Sequence, residues 1–125
     1  MKMLAAFLFV NLLALPGFAL ERVNVYPNHE IGYLSLEFGE VPVGQTVMLE
    51  VGINAPANKD LNINSITIAG ETYQAETNCG DTVSAGKFCV IDVYFTPTSV
   101  DEFYGELGIK TSEGNLILKL YGYGK

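Results

Sequence analysis

Beyond residue 19 the chain shows no sustained helical period. Short stretches alternate apolar and polar residues, and turn residues separate them. Leu34-Ser35-Leu36-Glu37-Phe38 places three apolar side chains on one face before Gly39, and Val41-Pro42-Val43-Gly44 reads as a turn because Pro42 cannot join a ladder. Thr46 to Ile53 puts Val47, Leu49, Val51 and Ile53 inward, with Met48 and Glu50 on the other side. Leu61 to Ala69 changes phase, since Leu61 and Ile63 have one parity and Ile66 and Ile68 the other; a bulge near Asn64-Ser65 would return both pairs to one core. A short strand around Thr72 to Ala75 follows Gly70. Cys89, Ile91, Val93 and Phe95 form the inward side of the clearest strand, which Pro97 ends. Phe103, Gly105, Leu107 and Ile109 mark the next, and Leu116, Leu118 and Leu120 line a closing strand that runs to about Tyr123, after the hairpin turn Ser112-Glu113-Gly114-Asn115. About seven antiparallel strands at this density predict an all-β, immunoglobulin-like β-sandwich, without the Cys…Trp…Cys signature of antibody domains because the chain has no Trp.

The first 19 residues have a different pattern. Lys2 precedes an apolar run from Met3 to Leu15, interrupted by Asn11, and Gly17-Phe18-Ala19 supplies small residues at a cleavage site. This predicts a cleavable signal peptide over 1–19, cut after Ala19, and a periplasmic or secreted product. The run is shorter than the roughly 20 residues that span a bilayer, so no membrane insertion is expected after cleavage. Residues 20–32 read as an N-terminal extension and residues 33–125 as the sandwich.

Charge narrows the partners. Against 14 acidic residues stand 7 basic ones, a net charge of −7. Such a surface repels phosphate backbones and anionic lipid, which argues against nucleic acid and membrane surfaces as partners. In an exported chain the two cysteines, Cys79 and Cys89, read as a disulfide, with Gly80 and Gly86 letting the chain double back between them. A redox pair would usually be spaced C-x-x-C, and a metal site needs more ligands than two thiols and one histidine.

Candidate chemistry is sparse. His29 is the one histidine and sits in an irregular segment, so the sequence supplies no triad, no zinc site and no obvious general base. Asp60, Asp81 and Asp101 fall in loops that could take calcium, but no EF-hand string is present. The outward phases of Glu37, Glu50, Asp92 and Glu106 suit a solvated face better than a carboxylate pair, and a carboxylate-pair hydrolase is the least favoured reading. No catalytic residue, cofactor site or metal site is assigned, and the chain is expected not to be an enzyme. Phe38, Phe95 and Phe103 fit the core, whereas Tyr94, Tyr104, Tyr121 and Tyr123 fall on the outward phase and form a candidate interaction surface.

Three ordered segments carry a resemblance. They are Leu36 through Gly44, of the form L-x-F-G-x-V-x-V-G; Leu61 through Gly70; and Asn78-Cys79-Gly80 through Ala85-Gly86 and Cys89 to Val93-Tyr94-Phe95-Thr96-Pro97. Together they resemble the choice-of-anchor D domain, a bacterial relative of the ASH (Hydin-like) domains of the major-sperm-protein-like group, over roughly Tyr33 to Gly124. The resemblance implies an immunoglobulin-like sandwich, a Cys79–Cys89 bridge tying a loop to the following strand, and a contact-making module without catalytic residues. Domains of this family usually stand in tandem in large surface or ciliary proteins, whereas this chain reads as a single copy with its own signal. The expected function is therefore a non-catalytic, exported module binding a protein partner. The alternative is a structural subunit that polymerises through strand edges in an envelope assembly.

Overall fold

The computed structural model of the protein describes residues 22–28 and 32–125. The signal peptide, its cleavage site and His29 lie outside the described residues. Nine strands are present among them: β1 (Arg22–Val25), β2 (Gly32–Val41), β3 (Val47–Asn54), β4 (Leu61–Ala69), β5 (Tyr73–Thr77), β6 (Thr82–Val83), β7 (Phe88–Phe95), β8 (Glu102–Thr111) and β9 (Gly114–Gly124). They form two sheets, one ordered β1-β3-β7-β5 and one ordered β2-β9-β8-β4-β6.

The alternation dictates this architecture because each strand has one apolar side to bury. Val51, Ile53, Ile91, Val93 and Phe95 from the four-stranded sheet meet Leu107, Ile109, Leu118 and Leu120 from the five-stranded one, and all are buried. Each fully buried side chain of this size contributes about 1.5–3 kcal/mol. One end of the core is aromatic: Tyr73 stacks on Phe95 with ring centroids 4.9 Å apart, and Phe38 and Phe103 lie 5.7 and 6.0 Å from the same ring. Room for Phe95 comes from Gly122, where any Cβ would overlap that ring.

The seven strands read from the alternation are β2, β3, β4, β5, β7, β8 and β9, and the register of β4 against β8 shifts between Ile63 and Ser65, where the phase change required a bulge. Three features differ. β2 continues past Gly39 to Val41 through a bulge between Glu37 and Glu40, with Gly39 at φ +74°, so that glycine bends the strand instead of ending it. Arg22–Val25, within the segment expected as an extension, forms β1. The expectation of purely antiparallel pairing is corrected, because β1 runs parallel to β3 and β2 parallel to β9. Physically, β2 and β9 are separated by the rest of the domain, a connection long enough for parallel pairing, which a tight hairpin cannot supply.

Candidate functional site

Parity and register assign every outward side chain to one of two faces. On the five-stranded sheet, Tyr104 of β8 pairs with Tyr121 of β9, Glu102 with Tyr123, and Glu37 of β2 with Tyr121. Tyr33, opposite Ile117, lies on the same face. Tyr104 is 62% exposed, Tyr33 66% and Tyr123 38%. The Tyr104 and Tyr121 rings meet edge to face with centroids 5.5 Å apart. Tyr104 donates its hydroxyl hydrogen bond to Glu102 Oε1 at 2.8 Å, and that bond holds its pKa above the ordinary tyrosine value. Two residues along β9 from Tyr121, Lys119 stands opposite Glu106; its ammonium donates to Glu106 Oε1 at 2.7 Å and is held above its usual range chiefly by that bond. The face is thus a set of ring edges with charged groups interleaved. Three of the four tyrosines singled out by the sequence come together here, joined by Tyr33.

Tyr94 lies elsewhere. It projects from β7 on the outer face of the four-stranded sheet, where its hydroxyl donates to Glu76 Oε1 at 3.2 Å. Across that face the register sets Arg22, Glu50, Asp92 and Glu76 side by side on β1, β3, β7 and β5. Arg22 Nε donates to Glu50 Oε1 at 2.9 Å. Asp92 stands between two carboxylates; its Oδ1 is buried without a hydrogen-bond partner, and burial, then Glu50 and Glu76, push its pKa upward.

The cysteines are joined. Cys79 and Cys89 form a disulfide with Cα atoms 5.1 Å apart, two rungs beyond the last pair of the β5–β7 ladder and next to the Asn78–Val90 backbone bond. Of the loop acids, Asp60 accepts from Ala85 N–H at 2.9 Å and so ties the β3–β4 loop to the β6–β7 turn, Asp101 accepts from Glu102 N–H at 2.8 Å within its own loop, and Asp81 is exposed. Among the described residues no group of three or more His, Cys, Asp or Glu side chains is arranged to hold a metal ion. No helix among them is long and apolar enough to cross a membrane.

Sequence reasoning missed Tyr73, which is buried in the aromatic core with its hydroxyl donating to Phe103 C=O at 2.9 Å. Its neighbours Thr72 and Gln74 disguise it as an ordinary strand tyrosine. The usable signal was that Gly105 and Gly122 leave inward positions empty on two adjacent strands, which calls for a large ring from the opposite sheet.

Comparison with known proteins fits this geometry. The fold is immunoglobulin-like. The solved structures it resembles include a protein of unknown function from Porphyromonas gingivalis W83 (TM-score 0.64, 13% identity, 76% of this chain and 48% of that one) and PapD-like domain 7, an ASH / PapD-like domain, of human CEP192 (TM-score 0.57, 10% identity, 73% of this chain and 80% of that one). They also include the secreted serine protease VesC from Vibrio cholerae (TM-score 0.55, 19% identity, 70% of this chain). The match spans only 21% of the VesC chain and about half of the Porphyromonas protein. No protein-family model and no curated protein matches the sequence.

The VesC likeness corrects the expectation that the chain is not an enzyme. The same sandwich occurs within a chain described as a secreted serine protease, so a filled aliphatic interior gives no ground for setting this chain apart from enzymes. A sandwich is a scaffold, and chemistry belongs to the sites and segments built onto it.

Proposed function

We propose that the chain is an exported protein-interaction module of the choice-of-anchor D or ASH kind. It docks a protein partner on the outer face of the five-stranded sheet, around Tyr104, Tyr121, Tyr123 and Tyr33. The observation that carries this reading is the gathering of four tyrosines from three adjacent strands on one face, with Tyr104 and Tyr33 more than half exposed. Tyrosine buries a large area at low entropic cost and keeps a polar tip for the wet rim of an interface. Export is supported by the signal-like N-terminus and by the Cys79–Cys89 disulfide, which persists in an oxidising compartment.

The test is site-directed photocrosslinking in the native compartment. A photoreactive residue at position 104 should trap one partner saturably, and one at position 90, on the opposite face, should not. Tyr104→Ala combined with Tyr121→Ala should weaken the isolated complex by about tenfold or more. Equal labelling from both faces, or an affinity that the double variant leaves untouched, sinks the tyrosine-face reading.

A further inference from the structure

The acidic row on the four-stranded sheet ends at an open edge. β5 is the last strand on that side and is hydrogen-bonded to β7. Thr72 C=O accepts from Thr96 N–H at 3.0 Å and Asn78 N–H donates to Val90 C=O at 3.3 Å, so the even-numbered residues turn their backbone groups toward β7. Backbone groups alternate in direction along a strand, which leaves those of Ala75 and Thr77 pointing off the edge. Side chains sort the two flanks of that edge. Gln74 and Glu76 stand on the outer side, while Ala75 lies on the inner side near Ile68 of β4, an aliphatic that is 36% exposed. An open groove of about 660 Å³ runs along this edge.

We propose that β5 receives an extended segment of a basic protein partner as an added strand. Alternate apolar side chains of the segment would cover Ile68 and Ala75, and the lysines or arginines between them would lie beside Glu76 and the acidic row behind it.

Charge selects this occupant. An added strand would lie about 4.8 Å from β5, which puts its outward side chains next to Glu76. Asp92 and Glu50 follow on the next two strands, and the one cation in the row, Arg22, is engaged with Glu50 at the far end. Three acids in line with an unpartnered Asp92 Oδ1 make a field that draws a cation to the β5 end of the row. A second copy of the chain fits poorly, because its net charge of −7 would bring acid against acid. The site is separate from the tyrosine face, which lies on the other sheet, and it stands or falls independently of that reading.

The experiment uses the whole chain and three synthetic peptides: one alternating valine and lysine, its glutamate counterpart, and the lysine peptide with an internal proline. Binding is followed by fluorescence anisotropy, and the edge by amide hydrogen exchange. The lysine peptide should bind, the other two should bind at least about tenfold more weakly, and the Ala75 and Thr77 amides should gain protection. Glu76→Lys, at an exposed position, should cost about tenfold or more, and Ala75→Pro should abolish binding, since it removes an N–H that faces away from the β7 ladder. Tyr104→Ala should change nothing. No binding of the lysine peptide, equal binding of the glutamate peptide, or binding without protection at Ala75 and Thr77 overturns the proposal. Concentration-dependent dimerisation that protects the same amides without peptide overturns it too, in favour of a second copy.

Discussion

Tyr73 combines a hydroxyl with an almost fully buried ring, and both properties have measurable consequences. Its pKa is pushed up to about 12, first by burial and then by the nearby Glu37 carboxylate, against an ordinary value of 10.0. The folded protein therefore holds this proton more tightly than the unfolded chain. The corresponding stability is complete below pH 10 and is lost as the pH rises from 10 toward 12. Tyr73→Phe removes the hydrogen bond to Phe103 C=O and should cost about 1 kcal/mol at pH 7, read from the denaturant midpoint at unchanged slope. The same variant should lose stability less steeply between pH 10 and 12. Asp92 has the same sense, but in the carboxylate range, so at pH 7 its cost is already present. Its raised pKa means that the ionised form is strained in the fold, facing Glu50 from β3 and Glu76 from β5, with Arg22 held beyond Glu50. Asp92→Asn should stabilise the protein by about 0.5 kcal/mol at pH 7, as removal of a directly opposed like charge. That gain should fade as the pH falls through the carboxylate range, because Asp92 itself then becomes neutral. Neither residue was legible in the chain. Phe38, Phe95 and Phe103 sit on clean alternations, but Tyr73 begins a strand of only five residues, and the neighbours of Asp92 come from strands about 40 and 16 residues away, a matter of sheet order.

At the scale of elements, the disulfide fastens the edge strand β5 to β7 across a sequence separation of 10. Cys79 and Cys89 lie two rungs past Thr77 and Ile91, beyond the Asn78–Val90 bond, so the bridge extends the ladder and closes the loop that carries β6. Replacing both cysteines with serine should cost about 3 kcal/mol through the freed loop entropy. Amide exchange should show where the loss falls: Gln74 and Glu76 should lose protection before Val51 or Leu118, which lie on inner strands. Equal loss across all strands would mean that the bridge acts on the whole fold and not on its edge. The strands themselves were legible because a half-buried strand must alternate, and even the bulge at Asn64 followed from a parity change. Strand direction was not, because a period of two is the same for parallel and antiparallel neighbours. β1 and β6, four and two residues long, are too short to display a period. Gly39 was legible as a special position, but the choice between a stop and a bulge depended on what Glu40 and Val41 found to pair with, namely Tyr123 and Gly124.

For the whole molecule, the sandwich was legible while the candidate surfaces were only half so: an outward phase could be read for Tyr94, Tyr104, Tyr121 and Tyr123, but not which sheet each strand joins. That assignment places Tyr94 beside the acidic row and the other three on the tyrosine face. It also shows how charge guards the open edges. β2 is an edge strand of ten residues with Tyr33 and Leu34 exposed, and it carries Glu37 and Glu40 on either side of its bulge; the shorter β5 carries Glu76. Inserted acids and bulges are recognised protections against edge-to-edge pairing. With a net charge of −7 at pH 7, two copies repel, and near the sequence pI of about 4.5 that protection disappears. Sedimentation velocity should therefore show a single small species at pH 7 and reversible association as the pH approaches 4.5. Salt at neutral pH should move the protein a short way in the same direction by screening. Because β2 offers twice as many residues as β5, Glu37→Gln combined with Glu40→Gln should raise the pH at which association begins, and Glu76→Gln should raise it less. If the β2 variant associates at the same pH as the parent chain, the contact forms between sheet faces, and the acids of β2 are solubilising charges without a guarding role.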